Sequence, residues 1–113
     1  MSKVFYMPAP NYAGVWESSV AVPSPESREG VSVFKFELDD DPQKASFSVI
    51  EDAASHREIF NGLRRGWTSA SCDFRELPPA NAVSVVMKRN GIAVLPPDGN
   101  WKVAVKAVID YTV

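Results

Sequence analysis

The sequence predicts an α+β fold dominated by β-structure, and three features of the chain indicate it. Residues 82–113 have the pattern of a three-stranded meander, because the apolar runs Ala82–Arg89, Ile92–Leu95 and Trp101–Thr112 are separated by turn residues. Residues 55–65 form the one stretch with a helical pattern. Nine prolines interrupt the chain, which suits short strands better than long helices. We therefore expect an antiparallel sheet, sandwich or small barrel of about seven to eight strands with one short helix.

Two loops divide the predicted meander. Asn90-Gly91 predicts a two-residue type I′ turn, since Asn and Gly tolerate positive φ best at both central positions. Residues 96–100 begin with two prolines, which lack the N–H that a strand ladder needs. The apolar pattern of residues 101–113 is longer than an ordinary strand. We expect this last strand to be bent, bulged or shared between two sheets or two chains.

The rest of the chain contains shorter strands. A strand is predicted where apolar and polar side chains alternate, or where an apolar run ends at a turn residue. These strands are Lys3–Met7, Val15–Val22, Val31–Leu38, Phe47–Ile50 and Thr68–Phe74. The alternation in the last of them places Cys72 on the inward face, so we expect a buried thiol.

The predicted helix has recognisable ends. Ser55 and Glu58 have the spacing of a capping box, in which each side chain bonds the backbone N–H of the other residue. Asp52 is an alternative N-cap one turn earlier. Gly66 fits the position after the last turn, where the chain adopts a left-handed conformation. The helix is short, so we expect it to be held by packing against the sheet.

Length and charge limit the possible functions. A chain of 113 residues is expected to form a single domain, residues 1–113. The net charge of −2 and the isoelectric point near 5.3 give no electrostatic support for binding nucleic acid or an anionic membrane. No apolar run has the length of a membrane span. Cys72 is the single cysteine, which excludes an internal disulfide and indicates a reducing compartment, so we expect a cytoplasmic protein.

Few residues in the sequence suggest catalysis or metal binding. His56 and Cys72 are the one possible Cys–His pair, but the predicted elements place the histidine in solvent and the thiol in the core. Asp39-Asp40-Asp41 lacks the spaced acids, glycine and late glutamate of a calcium loop, so a solvated acidic turn is expected. The chain contains no G-x-G-x-x-G, Walker, H-E-x-x-H or G-x-S-x-G motif. We therefore predict a protein that is not an enzyme and that holds no cofactor or metal.

The pattern favours a non-catalytic protein–protein interaction module, which would self-associate as a homo-oligomer or bind one protein partner. An assembly or structural subunit and a small inhibitor or immunity-type protein both fit this description. The long C-terminal strand is the leading candidate for the contact, because unpaired N–H and C=O groups at a strand edge can pair with another strand. The partner-binding residues predicted there are Trp101, Lys102, Lys106, Asp110 and Tyr111.

Two alternatives stay open. A basic and aromatic surface could bind single-stranded nucleic acid, with Trp67 or Phe74 as the platform on which a base stacks. Its residues would be Arg64, Arg65, Trp67, Lys88 and Arg89, together with Lys102 and Lys106. The net charge of the chain argues against this alternative. The second alternative is a small enzyme or ligand-binding barrel whose pocket carries no known motif.

Overall fold

A computed structural model describes residues 3–28, 31–38 and 40–113. Within these residues the chain forms nine strands and two helices. In chain order they are β1 (Lys3–Met7), β2 (Val15–Trp16), β3 (Phe34–Leu38), β4 (Lys44–Val49), α1 (Ala53–Arg65), α2 (Trp67–Ser71), β5 (Cys72–Phe74), β6 (Ser84–Arg89), β7 (Gly91–Val94), β8 (Trp101–Val105) and β9 (Ala107–Thr112). The predicted class, α+β and dominated by β-structure, is confirmed.

The larger sheet is antiparallel and curls into a half-barrel, with the strand order β1-β3-β4-β7-β8-β2. Alternate residues of β3 and β4 point into the curl. Phe34, Phe36 and Phe47 fill its centre and are completely buried. The ring of Trp16 lies 4.9–5.7 Å from these three rings and edge-on to them, which is an arrangement that aromatic quadrupoles favour. Four aromatic side chains from the three strands β2, β3 and β4 therefore form one cluster that stabilises the curl.

β1 and β2 are the two edges of this sheet, and the curl brings them towards each other. The indole Nε1 of Trp16, in β2, donates a 2.8 Å hydrogen bond to the carbonyl of Pro8, just beyond β1. Residues 17–25 lead from β2 to β1 and reach it at Ser24, which exchanges two backbone hydrogen bonds with Tyr6. We call the gap between β1 on one side and β2 and β8 on the other the seam.

The smaller sheet has the order β5-β9-β6, with β9 parallel to β5 and antiparallel to β6. The chain passes from the larger to the smaller sheet at Lys106, so the long C-terminal strand is shared between two sheets, which is one of the predicted options. The expectation that this strand lies at an edge is wrong. β7 and β2 flank β8, and β5 and β6 flank β9.

The predicted Asn90-Gly91 hairpin is wrong, although β7 and β8 do pair as the meander requires. β6 pairs with β9 instead of β7, and neither Asn90 nor Gly91 has a positive φ. Gly91 begins β7 opposite Phe47 of β4, and a Cβ at this position would overlap the Phe47 ring. The glycine therefore allows the close approach of a ring to the backbone and does not form a turn.

α1 begins at the alternative cap. The Asp52 carboxylate accepts the N–H of Ser55 at 2.7 Å, so Asp52 is the N-cap and the predicted capping box of Ser55 and Glu58 is wrong. The prediction for the other end is confirmed. Gly66 is left-handed, with φ 87°, and donates its N–H to a carbonyl of the last turn.

The segment predicted as a strand over residues 68–74 forms a short helix, α2, and a strand of three residues. Trp67 of α2 packs against α1 at Gly62, where a side chain would clash with the indole. The Thr68 hydroxyl donates to the carbonyl of Ile59 in α1 at 2.7 Å. These contacts with α1 override the alternating pattern of the segment. Among the described residues, no helix combines the length and the apolar character needed to cross a membrane.

Residues 15–22, predicted as one strand, pair only at Val15 and Trp16. The N–H groups of Val20 and Ala21 both bond the carbonyl of Glu17, so the chain turns there. Because of this turn, the following residues run towards β1, and β2 is an edge strand of only two residues.

Candidate functional site

The five predicted partner-binding residues are divided between the two sheets. Trp101 and Lys102 lie in β8 of the half-barrel, whereas Asp110 and Tyr111 lie in β9 of the smaller sheet. Lys106 lies between the two strands, with its ammonium 3.8 Å from a carboxylate of β5. The structure therefore does not gather these residues into one surface.

The last residues of β9 extend beyond the end of β5, and a side chain occupies the backbone donor that they present on that side. The Ile109 carbonyl accepts the N–H of Arg75, so the backbone of Ile109 faces β5. The backbone of Tyr111, two residues later in β9, faces the same side of the strand but lies beyond the end of β5. There the N–H of Tyr111 donates to the carboxylate of Asp110 at 2.9 Å. This bond occupies a donor that a further strand would need.

Of the two stacking platforms predicted for nucleic acid, the core encloses Trp67 and Phe60 covers one face of Phe74. Trp67 is 5% exposed and lies edge-on to Phe34, with the ring centroids 6.0 Å apart. Phe74 is half-buried and stacks on Phe60, so one face of its ring is covered. The cations of the set, Arg64, Arg65, Lys88 and Arg89, are exposed. The assignment of Trp67 as a base-stacking residue is therefore wrong, because the indole belongs to the core.

His56 and Cys72 form no reactive pair. The expectation of a surface histidine is wrong, because α1 packs on β6 and the Nδ1 atom of His56 accepts the backbone N–H of Val85 at 3.2 Å. The buried Cys72 is confirmed, and burial raises the pKa of its thiol to about 12. A thiol that stays protonated is a poor nucleophile.

The predicted acidic turn offers no metal site in the part of the chain that the structure describes. No group of three or more His, Cys, Asp and Glu side chains converges there. Asp39 lies outside the described residues, and Asp40 and Asp41 are exposed.

A mostly apolar cleft of about 500 Å³ opens on the seam. Its residues are Lys3, Val4, Phe5, Pro23, Ser24, Pro25, Leu38, Pro42 and Trp101. The rings of Phe5 and Trp101, whose centroids are 6.0 Å apart, form part of its wall. Trp101 is the one residue of the predicted partner-binding set that lines the cleft. Its volume falls within the range of known small-molecule sites, and its lining is mostly apolar.

The backbone of Val4 forms an open edge of the cleft. In β1 the N–H and C=O groups of Tyr6 point away from β3, because both bond Ser24 across the seam. Backbone groups of alternate residues point in the same direction along a strand, so those of Val4 also point into the seam. None of the described residues bonds them.

The chain segment that crosses the seam does not cover Val4. Ser24 lies between Pro23 and Pro25, and neither proline has an N–H with which to extend the pairing along β1. The Ser24 hydroxyl donates to a carbonyl two residues further on, at 2.7 Å, which holds the segment in a turn. The seam is therefore closed at Tyr6 and open at Val4.

Sequence patterns identify β1 but not the role of its edge. The apolar run Lys3–Met7 predicts a strand correctly, yet it does not specify which neighbours flank that strand. One signal in the sequence does point to the site. Pro23-Ser24-Pro25 can supply only one residue to a strand ladder, so a strand that pairs with it keeps part of its edge free.

Comparison of the chain with protein-family models, with curated protein sequences and with solved structures gives no match. The fold and the site define a half-barrel with an apolar seam, in which the outward backbone groups of Val4 are bonded by none of the residues that the structure describes.

Proposed function

We propose that the protein is a non-catalytic interaction module that binds an extended segment of one partner protein in the seam. The observation that carries this proposal is the outward-facing backbone of Val4 beside the apolar cleft, which no described residue bonds. An extended chain supplies an acceptor for the N–H, a donor for the C=O and a side chain for the cleft. Peptides that add a strand to a sheet edge bind in this way.

Two other strand positions support the choice of this edge. The outward N–H of Val85 is taken by the imidazole of His56, and that of Tyr111 is taken by the carboxylate of Asp110. Side chains that occupy such donors protect sheet edges from unwanted pairing. Val4 has no such protection from the described residues, although its neighbour Tyr6 is paired with Ser24.

The energies indicate what each part of the site contributes. A backbone hydrogen bond has a net value of roughly 0.5–1.5 kcal/mol, so two bonds at Val4 would fix the register of a segment but would bind it weakly. A large apolar side chain that leaves water contributes about 1.5–3 kcal/mol. The cleft therefore supplies most of the affinity for the segment, and Val4 supplies its alignment.

A displayed library of random peptides tests the proposal. Clones selected on the wild-type protein are tested again on Val4→Pro, which removes the outward N–H without removing a bond to β3. Val4→Thr is the matched control, because it keeps both the N–H and the β-branched shape. We expect clones that bind the wild type and Val4→Thr equally and bind Val4→Pro at least about tenfold more weakly.

Thermal melts by circular dichroism establish that the three proteins fold alike. Clones that bind Val4→Pro as tightly as the wild type would contradict docking at β1, and so would a selection without any clone sensitive to this substitution. A wild-type dimer that dissociates in Val4→Pro would identify the partner as a second copy of the chain.

The two alternatives receive less support. The burial of Trp67 makes its indole unavailable for stacking on a base, which weakens the case for the nucleic-acid surface. A ligand-binding barrel would be favoured if a small apolar probe bound in the cleft of Val4→Pro as tightly as in that of the wild type.

The single buried Cys72 is consistent with the cytoplasmic location that we include in the proposal.

A further inference from the structure

We infer that residues 22–27, which we call the strap, compete with the partner for the edge of β1, and that the bound segment displaces the strap from Tyr6. This inference rests on the function proposed above and describes how access to the same site is controlled. In the free protein the strap occupies one part of the edge, and the partner takes its place there.

The strap is attached to β1 at a single residue. Ser24 exchanges two backbone hydrogen bonds with Tyr6, of 2.8 and 2.9 Å, and within the described residues no other hydrogen bond leaves the strap. The Ser24 hydroxyl donates to the carbonyl of Glu26 and accepts its N–H, at 2.7 and 3.3 Å. These local bonds bend the strap away from β1 after one bridged residue.

The strap buries little of its surface. Five of its six residues are exposed, and the sixth is Ser24, whose side chain is small and polar. Val22 is 66% exposed although it is apolar. Segments with few buried apolar contacts separate from a protein at a low free energy. The two bonds to Tyr6 are therefore the main attachment of the strap.

The two ends of the strap are held independently of Tyr6. Before the strap, Ala21 is 3% exposed and donates its N–H to the carbonyl of Glu17. After the strap, the carbonyl of Arg28 accepts the N–H of Ser32 at 2.8 Å. Release from Tyr6 leaves both anchors in place, so the strap returns to the edge when the partner dissociates.

The register of the bridge places the strap in the path of a partner segment. Because Ser24 lies opposite Tyr6 in an antiparallel bridge, Pro25 comes next, beside Phe5. Both Pro25 and Phe5 line the cleft. A segment that pairs with Val4 and continues along β1 reaches Pro25 within one residue. It can continue only by displacing the strap.

The exchange of hydrogen bonds favours the partner. At Tyr6 the partner replaces two backbone bonds with two of the same kind, whereas its two bonds at Val4 are additional. The strap cannot gain them, because Pro23 and Pro25 have no N–H with which to lengthen the ladder. Removal of Pro25 also frees its place in the cleft for a side chain of the partner. The strap therefore lowers the apparent affinity, since only molecules with a released strap bind the whole segment.

Hydrogen exchange of the wild-type protein, followed by two-dimensional NMR, tests the inference. The probe is a capped synthetic copy of a peptide selected on the wild type. In the saturated complex we expect the Ser24 amide to exchange at least about tenfold faster than in the free protein, because it loses the carbonyl of Tyr6. The Val4 amide should become protected in the same complex. If Val4 becomes protected and Ser24 stays protected, the inference is overturned and the proposed function stands.

A disulfide lock provides the second test. Tyr6→Cys and Ser24→Cys are combined with Cys72→Ala, so that the protein contains two cysteines. Residues that exchange two backbone bonds have Cα atoms about 5.5 Å apart, within the roughly 4.4–6.8 Å that a disulfide spans. Thiol titration confirms that the bond has formed. We expect the oxidised protein to bind a cysteine-free selected peptide at least about tenfold more weakly than the same protein after reduction, which is the matched control.

The outcomes separate the strap from the docking edge. Equal binding by the oxidised and reduced proteins would overturn the inference. Val4→Pro, added to the reduced protein, then decides the rest. If this substitution weakens binding, docking at β1 stands and only the displacement of the strap is wrong. If it leaves binding unchanged, the proposed function fails as well.

Discussion

The Nδ1 atom of His56 in α1 accepts the backbone N–H of Val85 in β6 at 3.2 Å. Both groups are buried, so the imidazole nitrogen satisfies a donor that water cannot reach. The bond fastens the helix to the outer strand of the smaller sheet. It also explains why the only histidine of the chain lies in the core and takes no part in a site on the surface.

Substitution of His56 tests this bond. His56→Leu leaves the Val85 N–H buried without an acceptor, which should lower the free energy of unfolding by about 1–3 kcal/mol. His56→Asn places an amide oxygen near the position of Nδ1 and should lose distinctly less. Urea denaturation of the three proteins measures the difference. Equal losses in both variants would show that the hydrogen bond is not the source of the stability.

Gly91 should tolerate no side chain. A Cβ there would overlap the ring of Phe47 and press on the backbone N of Ala107, so Gly91→Ala should cost about 1–3 kcal/mol through overpacking. Asn90→Ala is the control. Because Asn90 is exposed and has no positive φ, its replacement should change stability by less than about 0.5 kcal/mol. A type I′ turn at this place would instead make both residues sensitive.

Asp110 should keep the smaller sheet from pairing with a second copy. Asp110→Ala frees the Tyr111 N–H, and sedimentation velocity at high protein concentration should then detect self-association. Asp110→Asn retains a side-chain oxygen as acceptor and should stay like the wild type. A monomeric Asp110→Ala variant would contradict this role for the carboxylate.

Cys72 should make stability fall at high pH. Burial raises the pKa of its thiol from 9.0 to about 12, so above pH 9 the unfolded chain loses this proton while the folded chain keeps it. The contribution is fully present below pH 9 and is lost as the pH rises towards 12. Between pH 8 and pH 10 the wild type should lose about 1 kcal/mol more than Cys72→Ala, measured by urea denaturation. Parallel losses in the two proteins would place the thiol in water.

The sequence predicts local structure well where local interactions decide it. Gly66 ends α1 as expected, and the apolar run Lys3–Met7 forms a strand. Asn90-Gly91 fails because the choice of partner strand depends on packing across the core, and Gly91 is needed there for the ring of Phe47. Apolar alternation fixes which face of a strand is buried, but it does not fix which strand lies alongside.

The candidate site depends on this non-local information. Trp101 belongs to the predicted partner-binding set, but the prediction placed its strand at an edge, whereas the half-barrel makes it a wall of the cleft. Val4 has no chemical signature in the sequence. Its importance follows from the direction of its backbone groups, which becomes apparent only when the pairs of Tyr6 with Ser24 and of β1 with β3 are known.

Hydrogen exchange at the backbone of β1 tests the central claim most directly. The amide of Tyr6 bonds Ser24, and the Phe5 backbone faces β3, whereas the Val4 amide faces the seam. In the free protein the Val4 amide should therefore exchange much faster than the amides of Phe5 and Tyr6. When a peptide selected on the wild-type protein is added, the Val4 amide should become protected. Slow exchange of the Val4 amide in the free protein, or exchange that stays fast in the complex, would contradict docking of a partner strand at this edge.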